Sequence, residues 1–298
     1  MPVLRETFVE VRGLRFHLRR HEPSAGAGSV PAVLLHGWLD HCGSFDGLLP
    51  ALAAEGPVFA LDLRGHGESD WVGAGGFYHA PEYVADLDGV LDALGIAGPV
   101  RLVGHSLGGA VALLYAAARP GRIVHATLLD ALPLVVTPEE VPARLTGYLD
   151  DLKGTRKRRL VASVEEAADR LQRFSARLPR EAALLLARGN VAPDPAQGGA
   201  LAWRWDPLLR GHSPLPFTEA VLQALLPCVV APVLLLRAEG GFIADEVEAR
   251  SRMALLRDLE VRTIAAASHH LHLERPAEVA SAILHAWRAA VSRPRAER

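Results

Sequence analysis

Cysteine is nearly absent: Cys42 and Cys228 are the only two in 298 residues. Neither sits in a C-x-x-C pair, which excludes a disulfide framework and a cysteine-rich metal module and leaves reduced thiols as the expectation. No apolar run reaches the roughly 18 residues of a membrane helix, and MPVLRETFVEVRG lacks the apolar core of a signal peptide. A cytoplasmic chain without a membrane partner is therefore expected. Surplus charge is missing too, with a formal net charge of -2 and a pI near 6.7. No whole-molecule field gathers nucleic acid, so a small, largely neutral molecule is the expected partner. The one dense basic run, KGTRKRR at 153 to 159, reads as a solvated helix end or loop rather than a phosphate or coenzyme A contact. The chain shows no internal repeats, and the sequence sets no oligomeric state.

Half of the residues are hydrophobic, and they fall in short runs. FVEVRG and LRFHLRR alternate with a period of two around Gly13, as an antiparallel hairpin with one wet face does. PAVLLH, PVFALDL, PVRLVGH, IVHATLLD, PVLLLRA and EVRTIAAA read as buried strands, separated by helical patterns such as APEYVADLDGVLDALG. In that segment Tyr83, Leu87, Val90, Leu91 and Leu94 share a face and Gly95 closes the helix. The alternation predicts an α/β fold: a mostly parallel sheet flanked by helices. It stops from about Pro133 to Leu222. There Val141, Leu145, Leu149 and Leu152 keep helical spacing, as do Val164, Ala168, Leu171 and Leu178, and REAALLLARG makes a third run. VAPDPAQGG is expected to be a loop among them. The organisation expected is a core of 1–132 and 223–298, with a helical cap, 133–222, inserted after the sixth strand.

PVRLV runs straight into GHSLGG and the helix AVALLYAAA, so Gly104-His105-Ser106-Leu107-Gly108 is a G-x-S-x-G in a strand, turn, helix context. Small residues two places either side let the backbone turn tightly enough to lift the Ser106 hydroxyl clear of the sheet. The N–H of Leu107 opens the helix where an oxyanion would develop, and the loop LLHGWLD offers the N–H of Trp38 as a second donor. DLRGHGESD is another glycine-rich turn after a strand; it is expected to brace the rim and carries no chemistry. A hydroxyl needs a base, and ASHHLHLERP after the last strand supplies histidines. His269 directly follows the strand, whereas His270 and His272 are expected to pack toward the helix opened by Pro276. Three histidines and a glutamate could hold a metal, but no HExxH or CxxC accompanies them, so no metal is expected.

HGWLDHCGSFDGLLPAL, DLRGHGES, FYHAPEYVADLDGVLDALG, GHSLGG and SHHLHLERP together resemble the α/β-hydrolase fold superfamily. HGWLD…SFD, the YVAD helix and RGN…GGALAWRWDPLLR are similar to its serine hydrolase-like proteins. The resemblance implies Ser106 as nucleophile and His269 as base. It also separates the chain from epoxide hydrolases and haloalkane dehalogenases, whose nucleophile at this elbow is an aspartate. In most members the acid follows the strand corresponding to PVLLLRA, and aligning AEGG with G-x-x-D puts Gly241 there. Glu239 and Asp245 stand nearby, Asp245 as an expected helix N-cap. Asp130, at the end of IVHATLLD beside the elbow, is the expected acid; its other reading is a residue that only braces the elbow. Haloalkane dehalogenases set a precedent for that place. The expected activity is hydrolysis of small, largely apolar carboxylic esters through an acyl-enzyme, with no cofactor. Trp71, Phe77, Tyr78, Trp203 and Trp205 are expected to line the substrate pocket or simply to pack. Thioester, lactone, amide or carbon–carbon bond cleavage uses the same serine, and a ligand-binding receptor that has lost turnover is the reading from outside the enzymes.

Overall fold

The structure is a computed structural model and describes residues 3–22, 30–154, 157–175, 177–214, 217–243 and 247–292. The ten strands are β1 Val3–Val11, β2 Leu14–Glu22, β3 Ala32–Leu35, β4 Val58–Leu61, β5 Val100–His105, β6 Ile123–Leu129, β7 Val191–Asp194, β8 Ala200–Trp203, β9 Val233–Gly240 and β10 Leu259–Ser268. Eight of them form one sheet in the order β1-β2-β4-β3-β5-β6-β9-β10. The opening hairpin is antiparallel and turns on Arg12 and Gly13, both with positive φ. From β4 to β10 every pairing is parallel.

Strand alternation explains why the sheet is covered on both faces. Val33 and Leu35 of β3, Val100 and Leu102 of β5 and Val233 and Leu235 of β9 enter one core, with the helices Ala80–Ala93 and Leu107–Ala118. Leu34, Val103, Leu234 and Leu236 enter the other, with Ile283 and Trp287 of the helix Pro276–Ser292. A side chain such as Leu34, wholly buried, contributes about 2–3 kcal/mol by leaving water. Tyr83, Leu87, Val90 and Leu91 are buried as their spacing requires, and Gly95 takes φ +69° after the helix.

Between β6 and β9 the chain leaves the sheet for the helices Val141–Lys153, Val164–Phe174, Arg180–Asn190 and Glu219–Leu225. The last of these runs across residue 222. The sequence reading fails at two points here. VAPDPAQGG is not a loop: Val191–Asp194 pairs antiparallel with Ala200–Trp203, and Gly198 and Gly199, at φ +65° and +85°, make the hairpin turn. Pro193 escapes the usual strand penalty because a two-stranded ribbon has free edges. Leu178 does not continue the helix that begins at Val164, which ends at Phe174, Ser175 leaving the helical region at φ -132° and ψ 85°. Of the basic run, Arg158 is tied down by an ion pair to Asp194 at 3.2 Å and by its place 4.7 Å over the Trp71 ring; Thr155 and Arg156 lie outside the described residues. Among the described residues no helix is long and apolar enough to cross a membrane.

Candidate active site

The ends of β3, β5, β6, β9 and β10 converge at one edge of the sheet, where ligands gather in open α/β folds. Ser106 follows β5 with φ +50° and ψ -115°, a conformation that costs of order 1–3 kcal/mol and is kept only where the surroundings impose it. The glycines around it are steric necessities: a Cβ on Gly104 would strike the backbone of Gly108, and one on Gly108 the carbonyl of Leu35. Neighbouring strand ends hold the elbow, because the N–H of Ser106 donates to the Leu129 carbonyl at 3.2 Å and that of Gly108 to the His36 carbonyl at 3.1 Å. The second bond ties the helix that begins at Leu107 to the turn carrying Trp38.

Four of the five non-glycine residues with positive φ among those described, Leu39, Ser106, Asp130 and Ala266, lie on these strand ends; Arg12 is the exception. Asp130 follows β6 at φ +46°, and its carboxylate is fully buried. It accepts from the N–H groups of Phe242 at 2.8 Å and Ala238 at 3.3 Å. The Nδ1 of His269 lies 2.7 Å from its Oδ2. A carboxylate already taking two backbone donors acts as acceptor, so Nδ1 carries the proton and Nε2 is left as the basic nitrogen. Such a charge-assisted bond contributes roughly 1.5–3 kcal/mol. Gly241 explains itself in the same frame: a Cβ there would fall on both carboxylate oxygens of Asp130. The space that a β9 acid would occupy is filled from β6.

The other candidates fall elsewhere. The Glu239 carboxylate accepts from the N–H of Ala266 at 2.8 Å, inside the irregularity of β10 between Ile264 and Ser268. It braces that bulge. Asp245 lies outside the described residues. His272 is buried and His270 half-buried, and desolvation, followed by the neighbouring imidazoles, pushes His270 down to about 4 and His272 well below the usual range.

A family model described as the alpha/beta hydrolase fold matches residues 31–276. The chain belongs to the α/β-hydrolase fold family. The zebrafish (Danio rerio) serine hydrolase-like protein is 30% identical over 268 residues, which are 85% of this chain and 80% of that protein. The crystal structure of a hypothetical protein from Pseudomonas aeruginosa superposes with a TM-score of 0.85 at 32% identity, covering 97% of this chain and 99% of the other. The thioesterase domain from the curacin biosynthetic pathway gives 0.83 at 26% identity, covering 95% and 99%.

Within this α/β hydrolase the five aromatic residues expected at a pocket separate. Phe77 and Tyr78 line a recess of about 300 Å³ with His79 and Tyr148, whereas Trp71 lines a different one with Arg158 and Arg204. Ser106 lines neither. Trp203 and Trp205 are buried and stacked, centroids 5.9 Å apart. Several of these groups join the sheet to the excursion: the Trp71 indole N–H donates to the Arg204 carbonyl, the Tyr78 hydroxyl to Asp206, and the Trp38 indole N–H to the Leu209 carbonyl. Sequence reasoning missed three supports of His269. Phe242 stacks on its ring at 3.9 Å, and the Nε2 of His105 stands 2.9 Å from its carbonyl oxygen. The adjacent Ser268 is bonded to Glu274 and to Ser175 of the excursion. Only the glutamate in HHLHLE gives a visible signal, and its spacing alone does not distinguish a brace for Ser268 from an ion ligand.

Proposed function

We propose that the chain is a serine hydrolase that cleaves small, largely apolar carboxylic esters through an acyl-enzyme, with Ser106, His269 and Asp130 as its triad. Ser106 Oγ attacks the ester carbonyl carbon while His269 Nε2 takes its proton; the imidazolium is stabilised by Asp130. The oxyanion forms against the N–H groups of Leu107 and Trp38. Collapse expels the alcohol, protonated by His269, and water repeats the sequence to free the acid and regenerate the serine. Residues 133–222 act as a cap over this edge, stitched to the core through Trp38, Trp71 and Tyr78.

The observation that carries the reading is the bond from His269 to a buried Asp130 in the space left by Gly241. Of the three histidines in the loop, His269 alone has a carboxylate partner among the described contacts. The test is intact-mass detection of a fluorophosphonate adduct, with turnover of p-nitrophenyl esters of increasing acyl length. Wild type is expected to gain one adduct, and Ser106→Ala to lose both adduct and turnover. An adduct that survives Ser106→Ala overturns the nucleophile, and no adduct on wild type overturns the enzyme reading in favour of a binding protein. Likeness to a thioesterase domain favours thioesters as the second substrate class. Comparing acyl N-acetylcysteamine thioesters with p-nitrophenyl esters of the same acids separates the two.

A further inference from the structure

Beside the elbow, the fold assembles a cluster that no stretch of the sequence displays. Asp40 comes from the loop after β3, His105 from the end of β5 and His272 from the helical turn after His269. One donor atom from each lies within 4.8 Å of the others, and all three residues are buried, 1–5% exposed. Oδ2 of Asp40, Nδ1 of His105 and both ring nitrogens of His272 have no hydrogen-bond partner. Leaving four such atoms unpaired in a protein interior costs about 1–3 kcal/mol each, so the arrangement points to a ligand.

We propose that Asp40, His105 and His272 form a binding site for a single transition-metal ion of the zinc class. Two imidazoles and one carboxylate are the donors of Zn²⁺, Co²⁺ and Ni²⁺, whereas Ca²⁺ and Mg²⁺ want oxygen shells. The geometry is close to what such an ion needs. Donors at most 4.8 Å apart stand about 2.8 Å or less from a common centre, against about 2.0–2.2 Å in a zinc shell, so side-chain shifts under about 1 Å complete it. The ring of His105 is already oriented for the task. Its Nε2 donates to the carbonyl of His269 at 2.9 Å, which leaves the Nδ1 lone pair without a partner and free for an ion. Metal-bound histidines are commonly fixed this way, their second nitrogen on a backbone carbonyl. A second buried group, His17, Cys42 and Asp62, is largely bonded within itself, since Asp62 accepts from the Cys42 N–H and bonds His17 Nδ1, and of its side-chain atoms only His17 Nε2 lacks a partner.

Because His105 holds the loop of His269, an ion here is expected to act on the base through that loop and to lower ester turnover without touching Ser106. The deciding experiment does not depend on turnover. Metal-free full-length protein is incubated to equilibrium with Co²⁺, and the visible absorption of a four- or five-coordinate ion is followed, with Zn²⁺ competition and thermal unfolding in parallel. One equivalent is expected to bind, to raise the unfolding temperature and to be displaced by Zn²⁺. Asp40→Asn and His272→Gln, two independent variants, are each expected to weaken binding at least a hundredfold, while the exposed His285→Gln leaves it unchanged. Absence of a stoichiometric Co²⁺ band on wild type overturns the site, as does equal binding by folded Asp40→Asn or His272→Gln. An equal loss in His285→Gln overturns it too, by marking the binding as adventitious.

Discussion

The ends of β6 and β9 lie side by side, yet one finishes in an aspartate at φ +46° and the other in two glycines. Between them they hold one carboxylate, supplied by the first and accommodated by the second. The comparison teaches that one strand end can place a carboxylate beside His269 Nδ1 only because its neighbour leaves the space open, Gly241 having no side chain to fill it. β9 still contributes, through the backbone N–H groups of Ala238 and Phe242 that bind the visiting carboxylate.

The sharpest way to break the comparison is Asp130→Asn. Shape is retained, but the amide cannot stabilise an imidazolium and leaves His269 free to take the wrong tautomer. A fall in kcat of about a thousandfold or more is expected, with KM little changed and the fold intact by circular dichroism. A loss under tenfold removes Asp130 from the triad.

Moving the carboxylate back tests whether place or strand matters. Gly241→Asp alone forces a side chain onto Asp130 and is expected to destabilise by about 3 kcal/mol in urea unfolding. Asp130→Gly suits the positive φ but removes the acid. The double variant, Asp130→Gly with Gly241→Asp, is expected to recover most of that stability and at least tenfold of the activity lost in Asp130→Gly, a strong positive coupling. Strict additivity of the two changes overturns the shared-space argument.

The same contrast explains what could be read in the sequence. The sheet was legible because each parallel strand is buried on both faces, so PAVLLH or PVLLLRA stands out as a short apolar run between turn signals. The places of Ser106, on a strand–helix elbow, and His269, directly after β10, were legible because elbow glycines and strand ends are local features. Asp130 could be reached only through its place at the end of IVHATLLD, the precedent of the resemblance and the lack of an acid at Gly241, since its partner lies 139 positions away. The excursion was less legible for another reason. Leu145, Leu149 and Leu152 keep helical spacing but are 46–56% exposed, so periodicity there does not report burial, and the β7–β8 ribbon is too short to show a period at all. Phe242 and the cluster beside the elbow depend on contacts between distant loops, which no spacing encodes.

Two further strand ends are held by imidazole instead of carboxylate, and acid should separate them from the Asp130 bond. His36 donates from Nδ1 to the Gly37 carbonyl and accepts the Leu63 N–H on Nε2; His66 likewise bonds the Arg64 carbonyl and the Leu39 N–H. Burial holds them down to about 4 and about 3. Their folded values lie below the ordinary 6.5, so their contribution is complete above pH 6.5 and erodes as pH falls toward 4 and 3. Each is expected to withdraw roughly 2 kcal/mol between pH 6.5 and pH 5. In His66→Gln, which can keep both bonds without titrating, the slope of stability against pH should shrink by that amount in urea unfolding; an unchanged slope shows that His66 is not the group responsible.

The smallest expected effect is the one that the comparison most needs. Glu239 is the only acidic residue within the last turn of β9 that the structure describes, and sequence alignment alone would make it the rival of Asp130. Its carboxylate is committed to the N–H of Ala266, where β10 bulges at φ +50° before reaching His269. Glu239→Gln keeps an acceptor oxygen at the same distance and gives up only the charge of an exposed side chain, for which solvent already compensates. Its kcat should stay within about threefold of wild type, with an unfolding free energy changed by less than about 1 kcal/mol. Glu239→Ala, which removes the acceptor, is expected to loosen the bulge and to cost more in stability than Glu239→Gln while still leaving kcat far above that of Asp130→Asn. If instead Glu239→Gln lost activity on the scale of Asp130→Asn, the carboxylate that serves His269 would belong to β9 after all, and the bond to Asp130 would be a resting contact rather than the catalytic one.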